Sequence, residues 1–376
     1  MGIGELIREL RTARGWSQGR LVSEINDAFG TSLTRDYLSR WENGKVKPSA
    51  FYLAHLSSLL DVPLAVLEGE VNRREFLTDV AGAAIAPAVA SDLLTVGFSA
   101  RLRGGPSVDA WEDKLATYGT EYMSLGAADI QRRVSGELVL VQQQLDNARL
   151  WSVASRLMTL YAKTFPGSDG SKAVHWYRMA AQSADESGEI DARVWVRGRA
   201  AIALGYEGAS LGVVDVLADQ AMAISDKPSL GLLNAVMGKA HAAALRGDRA
   251  TAFRLTDDGR RIFDAAGSHE QTSDYAVPWW RMNVFLSLLL ARLGDEKGAV
   301  AAQEQAAKEL PASLPRFATH LEMHRGLMLS RSGDQTAGTA YAQSAMDALP
   351  PEKHSLTLRM LMNEISATPS DLLHDG

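Results

Sequence analysis

The chain has 376 residues, enough for two or three domains, and 46% of them are hydrophobic, enough to bury a substantial core. It has no cysteine, which excludes disulfides, thiolate chemistry and cysteine-based zinc sites and favours a reducing, cytoplasmic location. The net charge of −6 excludes a chain that is basic throughout, but residues 1–48 hold eight Lys and Arg against six Asp and Glu. That local excess permits contact with DNA.

Five short helices are predicted for the first seventy residues. The first spans about Ile3 to Ala13, and Ser17 is a good N-cap for a second helix that begins at Gln18. Thr34 caps a third helix, from Arg35 to Glu42, which Asn43 and Gly44 end. Pro48 and Ser49 begin the fourth helix, and Pro63 begins the fifth.

The segments "LRTARGWSQGRL" and "LTRDYLSRWENGKVKPS" resemble the Cro/C1-type (XRE) helix-turn-helix family over about residues 4–68. The shared features are the Ser-Gln opening of helix two, the Leu-Ser-x-Trp-Glu-x-Gly end of helix three and the Pro-Ser opening of helix four. The sequence departs from the family in one place, because the interval from Leu21 to Trp41 is about six residues longer than the family norm.

The resemblance implies that helix three enters the major groove of DNA and places its N-terminal residues against base edges. The implied DNA-binding residues are Gln18, Thr34, Arg35, Asp36, Tyr37, Arg40, Lys45, Lys47 and Ser49. By the same analogy, Arg11 and Glu42 form an ion pair that orients helix three. Two alternatives stay open: Arg35 and Arg40 can belong to a solvated helix face, and Asp36 can simply stabilise the helix N-terminus.

Residues 71–105 are predicted to be a linker with an Ala-rich helix, between a DNA-binding domain at 1–70 and a larger domain at 106–376. The stretch "NRREFLTDVAGAAIAPAVA", which begins at Asn72, also looks like a twin-arginine export signal. It follows a predicted folded domain, however, and its apolar part carries Asp79 and Pro87. A linker helix is therefore the preferred interpretation.

Residues 106–376 read as an all-α repeat of about five or six helical hairpins. Gly-Asp turns at Gly294 and Gly333 lie 39 residues apart, a third lies at Gly247, and "SGEIDAR" near Gly188 is a degenerate fourth copy. The pattern resembles tetratricopeptide-like repeats, which stack into an α-solenoid whose concave surface commonly holds a peptide or a partner. The interval between Gly247 and Gly294 is eight residues longer than the interval between Gly294 and Gly333.

The extra residues of the long interval precede a group of candidate ligand-binding residues: Trp279, Trp280, Arg281 and Asn283. Asn can hold backbone amides and Trp offers a flat apolar face, so the group is a plausible peptide clamp; the alternative is a longer helix whose Trp pair is core. Weaker candidates of the same kind are Asn147, Trp176, Tyr177, Trp195, Arg199 and Asn234.

Signatures of catalysis are missing from the sequence. "HLEMH" places His320 and His324 at the spacing of a zinc pair, but it lacks the Glu that follows the first His of a metalloprotease helix. No Walker loop or serine elbow is present, and no cofactor, catalytic residue or membrane contact is expected.

The sequence therefore predicts a cytoplasmic, non-enzymatic transcription regulator. Its combination of domains is similar to that of actinobacterial and peptide-sensing quorum regulators, which join this kind of DNA reader to a tetratricopeptide-like domain. The resemblance implies a homodimer, a pseudo-palindromic operator in double-stranded DNA, and a peptide or small-molecule effector. The alternative is an adaptor or scaffold whose solenoid docks a protein partner and whose DNA binding is weak or vestigial.

Overall fold

A computed structural model describes residues 3–13, 16–29, 31–60, 67, 95, 97–99, 101–165 and 171–367. The chain divides into two compact units, residues 1–94 (the N-terminal unit) and residues 95–376 (the helical unit). The predicted fifth helix near Pro63 and residues 71–94 of the predicted linker lie outside the described residues, apart from Leu67.

Four helices of the N-terminal unit are described: α1 (Ile3–Ala13), α2 (Gln18–Phe29), α3 (Arg35–Glu42) and α4 (Ala50–Leu59). Their bounds agree with the sequence prediction. Thr34 caps α3, since its side chain accepts a hydrogen bond from the Tyr37 amide, and Asn43 ends the helix. The helices enclose a small core that includes Leu6, Leu10, Leu21, Ile25, Leu38, Trp41 and Leu56.

Helices α1 and α3 pack with almost no space between their backbones. A Cβ atom added at Gly4 would lie 1.9 Å from the carbonyl oxygen of Trp41, far inside any normal contact. Glycine at this position therefore sets how closely α1 can support α3.

The described helices of the helical unit follow one another in antiparallel pairs. They are α5 (Val108–Ser124), α6 (Ala127–Gln142), α7 (Ala148–Ala162), α8 (Ser171–Ser187), α9 (Ile190–Glu207), α10 (Leu211–Ile224), α11 (Leu230–Leu245), α12 (Arg249–Ala266), α13 (Trp279–Arg292), α14 (Glu296–Glu309), α15 (Pro315–Arg331), α16 (Gln335–Asp347) and α17 (Leu356–Ser366), with a 3₁₀ turn at Pro351–Lys353. In the described part of the chain the helices from α5 to α16 form hairpins, and α17 closes the stack against α15, α16 and α9. The chain is all-α, with a helix-turn-helix region followed by a helical repeat, as predicted.

The first helices of successive hairpins lie against one another, and the closest approach is between α9 and α11. Small residues make this approach possible. A Cβ at Gly198 would lie 1.9 Å from the carbonyl oxygen of Gly231, and one at Gly205 would lie 2.5 Å from that of Gly238. The inner row of helices is accordingly the most buried part of the unit.

The repeated Gly-Asp pairs form the turns inside the last three hairpins before α17. Gly247, Gly294 and Gly333 all have positive φ, which glycine adopts without a steric cost. The aspartate that follows each glycine is the N-cap of the next helix, and its side chain accepts a hydrogen bond from a backbone amide. One dipeptide thus ends one helix and begins the next.

The predicted fourth copy of this turn was wrong. Gly188 has positive φ, but it joins the hairpin α7–α8 to the hairpin α9–α10 rather than turning inside a hairpin. The turn inside α9–α10 is at Gly208, 39 residues before Gly247. This turn lacks the Gly-Asp signal, because Gly208 is followed by Ala209 and Ser210 in place of aspartate.

Candidate functional site

The N-terminal half of α3 presents a row of polar side chains to solvent. Arg35, Asp36 and Arg40 are exposed, and Tyr37 is 49% exposed. Among the described residues neither arginine takes part in an ion pair, so both guanidinium groups are available for an external partner. The opposite side of α3 is buried through Leu38 and Trp41.

Helix α3 is held from behind by a buried carboxylate. The Glu42 side chain is 1% exposed and accepts hydrogen bonds from Arg11 Nε at 2.7 Å and Arg11 Nη2 at 3.0 Å. Its hydrogen bond with Glu42 raises the pKa of Arg11 above the usual value. Gln18 Nε2 donates to the same carboxylate at 2.7 Å, so α1, α2 and α3 meet at Glu42.

The remaining predicted DNA-binding residues surround α3. Thr34 is exposed at its N-terminus; Lys45 and Lys47 are exposed in the loop after it; and Ser49 is exposed as the N-cap residue of α4. Gln18 is half-buried and its amide is engaged by Glu42, which distinguishes it from the freely exposed lysines.

The four candidate ligand-binding residues at the start of α13 do not share one exposed surface. Trp279 is 40% exposed and lies near Phe263, whereas Trp280 is fully buried beside Phe317. Asn283 is buried and donates to the carbonyl oxygen of Trp279. Helical geometry points Trp280 and Asn283 into the protein interior, so a clamp that uses all four side chains stays a prediction.

Arg281 belongs instead to a buried cluster around Asp274. The Asp274 carboxylate is fully buried, and its Oδ1 atom lies 2.5 Å from Lys163 Nζ, 2.8 Å from Arg199 Nη2 and 3.0 Å from Arg281 Nη2. These three cations hold the pKa of Asp274 well below its usual value, against the opposing effect of burial. Asp274 itself lies in the connection between α12 and α13, the segment that makes this repeat interval longer.

The basic cluster forms one side of a cavity of about 100 Å³ inside the helical unit. Arg316 lies on the same lining, as does Glu207, whose Oε1 accepts a hydrogen bond from Thr357. Burial raises the pKa of Glu207 to about 7. The remaining lining is mainly aromatic and apolar and comprises Tyr122, Ile202, Ala203, Tyr206, Val284, Phe285, Phe317 and His320, with Ser355 at the start of α17.

The two histidines at zinc-pair spacing are packed side chains. His324 hydrogen-bonds Tyr206 and Ser287, and His320 lies near the same tyrosine hydroxyl. Burial lowers the pKa of His320 to about 3, so its imidazole is neutral. Across the described residues no three His, Cys, Asp or Glu side chains are grouped to hold a metal ion.

The weaker sequence candidates are dispersed. Trp176 lines a mainly apolar groove of about 670 Å³ between α6, α7 and α8. Tyr177, Trp195 and Asn234 are buried, Asn147 is the N-cap of α7, and only Arg199 lines the basic cavity.

A helix-turn-helix family model matches residues 7–67. Residues 7–67 are a helix-turn-helix domain of the Cro/C1 type. The matched range covers the α1–α4 region described above, which confirms the predicted resemblance. No curated protein sequence matches the chain.

One solved structure is similar to this chain at low sequence identity. PlcR from Bacillus thuringiensis, crystallised with the peptide PapR7 and DNA, is 15% identical, and the match covers 86% of this chain and 96% of that chain. The TM-score of 0.31 is too low to assign the PlcR fold to this chain.

In the described part of the chain, no helix has the length and apolar character needed to cross a membrane.

Sequence reasoning missed Lys163, Asp274 and Glu207. The sequence carries one signal for Asp274, because the long repeat interval marks the segment in which it lies. Arg281 is seven residues from Asp274, but Arg199 and Lys163 are 75 and 111 residues away, and no local pattern joins those two to it.

Proposed function

We propose that the chain is a non-enzymatic, cytoplasmic transcription regulator that reads a specific DNA sequence with α3. The observation that carries this proposal is the exposed row of Arg35, Asp36, Tyr37 and Arg40 on a helix whose opposite side is fixed to the domain core. Arginine can grip guanine O6 and N7 with two hydrogen bonds, and aspartate can accept one from cytosine N4. A recognition helix held by a buried ion pair needs little reorganisation to bind.

Lys45, Lys47, Thr34 and Ser49 are proposed to contact phosphates, because they are exposed on either side of α3. Such contacts fix the register of the domain on DNA without reading its sequence. Gln18 is proposed to help hold α3 in place for DNA binding, since its side-chain amide donates a hydrogen bond to the Glu42 carboxylate.

The helical unit is proposed to form the homodimer and to sense an effector. Dimerisation would place two recognition helices on a pseudo-palindromic operator. The feature that favours sensing is the basic cavity, because cations in excess of carboxylates can be compensated by a bound anion. Residues 71–105 are proposed to link the two units.

The test of DNA recognition is to sequence the genomic fragments that the full-length protein retains at near-physiological salt. Arg35→Ala combined with Arg40→Ala is expected to weaken binding to the recovered motif by about 30- to 20,000-fold, since each good arginine–guanine pair provides about 1–3 kcal/mol. The matched control is Arg132→Ala with Arg133→Ala, which removes the same charge from α6 and is expected to leave affinity unchanged.

Equal affinity for the double variant and the intact protein would refute the role of α3. Recovery of a two-fold-symmetric motif, with a dimer mass by sedimentation, would support the proposed dimer. Fragments without a common motif would favour the alternative of an adaptor whose helical unit docks a protein partner.

The Lys45→Ala variant separates phosphate contacts from base contacts. It is expected to weaken binding to all DNA sequences alike and to reduce the slope of log affinity against log salt concentration by about one unit.

A further inference from the structure

The cavity of the helical unit is surrounded by more positive than negative charge. Lys163, Arg199, Arg281 and Arg316 line it, and among the described residues Glu207 is the one acidic side chain on its lining. Asp274, behind the lining, is shared by three of the four cations through one oxygen atom. Two acids thus face four bases, of which Lys163, Arg199 and Arg281 have buried side chains and Arg316 is half-buried.

The excess of positive over negative charge persists when Lys163 is neutral. Burial and the neighbouring Arg199 hold the pKa of Lys163 well below its usual value. Arginine stays charged in proteins, so the three arginines still outnumber the two carboxylates by one. The arginine in excess is the half-buried Arg316, which has no carboxylate partner among the described residues and can pair with an external anion.

Arg281 is held rigidly but keeps one unused donor. Its Nη1 atom donates to the carbonyl oxygens of Ser273 at 3.0 Å and Ala276 at 2.8 Å, and Nη2 donates to Asp274. The Nε atom is buried and has no hydrogen-bond partner among the described residues. A buried donor of this kind is rare in proteins and costs about 1–3 kcal/mol.

The size and the remaining lining of the cavity limit what it can accept. A cavity of about 100 Å³ that is partly open to solvent admits a small group of atoms. Ile202, Val284, Phe285 and Phe317 offer apolar contacts beside the cations, and Ser355 and Thr357 add hydroxyl groups. A matching ligand therefore has a compact anionic head and a short apolar body.

We propose that this cavity binds a small molecule through an anionic oxygen group, a carboxylate or a phosphate, held by Arg316, Arg281 and Lys163. The proposal rests on the proposed sensing role of the helical unit and names the chemistry of its effector. Charge-assisted hydrogen bonds from arginine to such groups are short and strong. Glu207 sits on the same lining and opposes the anion by its own charge.

The experiment measures binding of inorganic phosphate and of butyrate to the full-length protein, by thermal unfolding and titration calorimetry at constant ionic strength. At tenfold excess over Kd, the probe that fits is expected to raise Tm by about 2–4 °C relative to sodium chloride. A response to phosphate alone assigns a phosphorylated effector, and a response to butyrate alone assigns a carboxylic acid.

Two variants with opposite expected effects test the site. Arg316→Ala is expected to weaken binding about tenfold, and Glu207→Gln is expected to tighten it several-fold, because it removes the opposing charge. The matched control is Arg325→Ala, on the same helix, where the arginine pairs with Glu322 away from the cavity. Absence of any response beyond sodium chloride, or equal losses for Arg316→Ala and Arg325→Ala, would overturn the proposal.

A parallel measurement of DNA affinity separates the two proposals. A probe that binds the cavity but leaves DNA affinity unchanged would refute the sensing role and keep the anion site. Specific DNA binding with no response to either probe would refute the anion site and keep the DNA-binding role.

Discussion

Replacement of Arg11 by alanine tests whether the buried ion pair supports α3. The Glu42 carboxylate is almost fully buried and accepts two hydrogen bonds from Arg11 and one from Gln18. Among the described residues, Gln18 is the hydrogen-bond donor that the carboxylate keeps in the Arg11→Ala variant, because Arg8 Nε is 3.9 Å from it. Removal of one partner from a buried pair costs about 3–5 kcal/mol, chiefly because the other charge stays buried.

Arg8→Ala is the matched control, since Arg8 lies on the same helix and also reaches the end of α3. Its Nη2 atom donates to the backbone carbonyl of Glu42 at 2.8 Å and to Asn43 Oδ1 at 2.9 Å, but 46% of the side chain is exposed. Exposed pairs of this kind contribute about 0–1 kcal/mol. The two variants remove the same charge, but only Arg11→Ala takes a hydrogen-bonded partner from the buried carboxylate.

The assay is amide hydrogen exchange of the full-length protein, followed by mass spectrometry on peptides from α1 and α3. For Arg11→Ala we expect exchange about 10²- to 10⁴-fold faster, or complete loss of protection in the N-terminal unit. For Arg8→Ala we expect less than a tenfold change. A third variant, Arg11→Met with Glu42→Leu, is expected to recover most of the protection, since no charge is then left buried. Equal exchange rates in the two single variants would refute the reasoning.

Further predictions concern the stability of the helical unit. Burial raises the pKa of Glu207 to about 7 from the usual 4.5, so the stability that protonated Glu207 contributes is full below pH 4.5 and is lost as pH rises through 7. In urea titrations at both ends of that range, the free energy of unfolding of Glu207→Gln is expected to rise relative to the wild type by up to about 3 kcal/mol with rising pH. A difference that does not change with pH would contradict the raised pKa. Asp274→Asn leaves three buried cations without their shared carboxylate and is expected to lower the free energy of unfolding by about 3–5 kcal/mol, measured in the same titrations. Gly198→Ala is expected to lower Tm, because its Cβ would meet the carbonyl of Gly231, whereas Gly136→Ala, with nothing within 4 Å, is expected to gain about 0.5–1 kcal/mol; a gain in both would show that α9 and α11 can separate freely.

Local sequence patterns determined most of the secondary structure of this protein. The bounds of α1 and α3 follow from helical periodicity and capping residues, and each Gly-Asp pair fixes a turn through one positive φ and one N-cap. These signals depend on residues a few positions apart, so they are legible along the chain. The family resemblance of the first seventy residues rests on the same kind of short-range pattern.

Tertiary structure alone decided which polar residues meet. The buried cluster joins Lys163, Arg199 and the neighbouring Asp274 and Arg281 from three places in the chain, and Thr357 on the cavity lining is 150 residues from its partner Glu207. Helical geometry likewise placed Trp280 in the core and left Trp279 half-exposed, although the two are neighbours in sequence. The physical reason is that burial and charge compensation depend on the stacking of hairpins, which no local pattern of residues encodes.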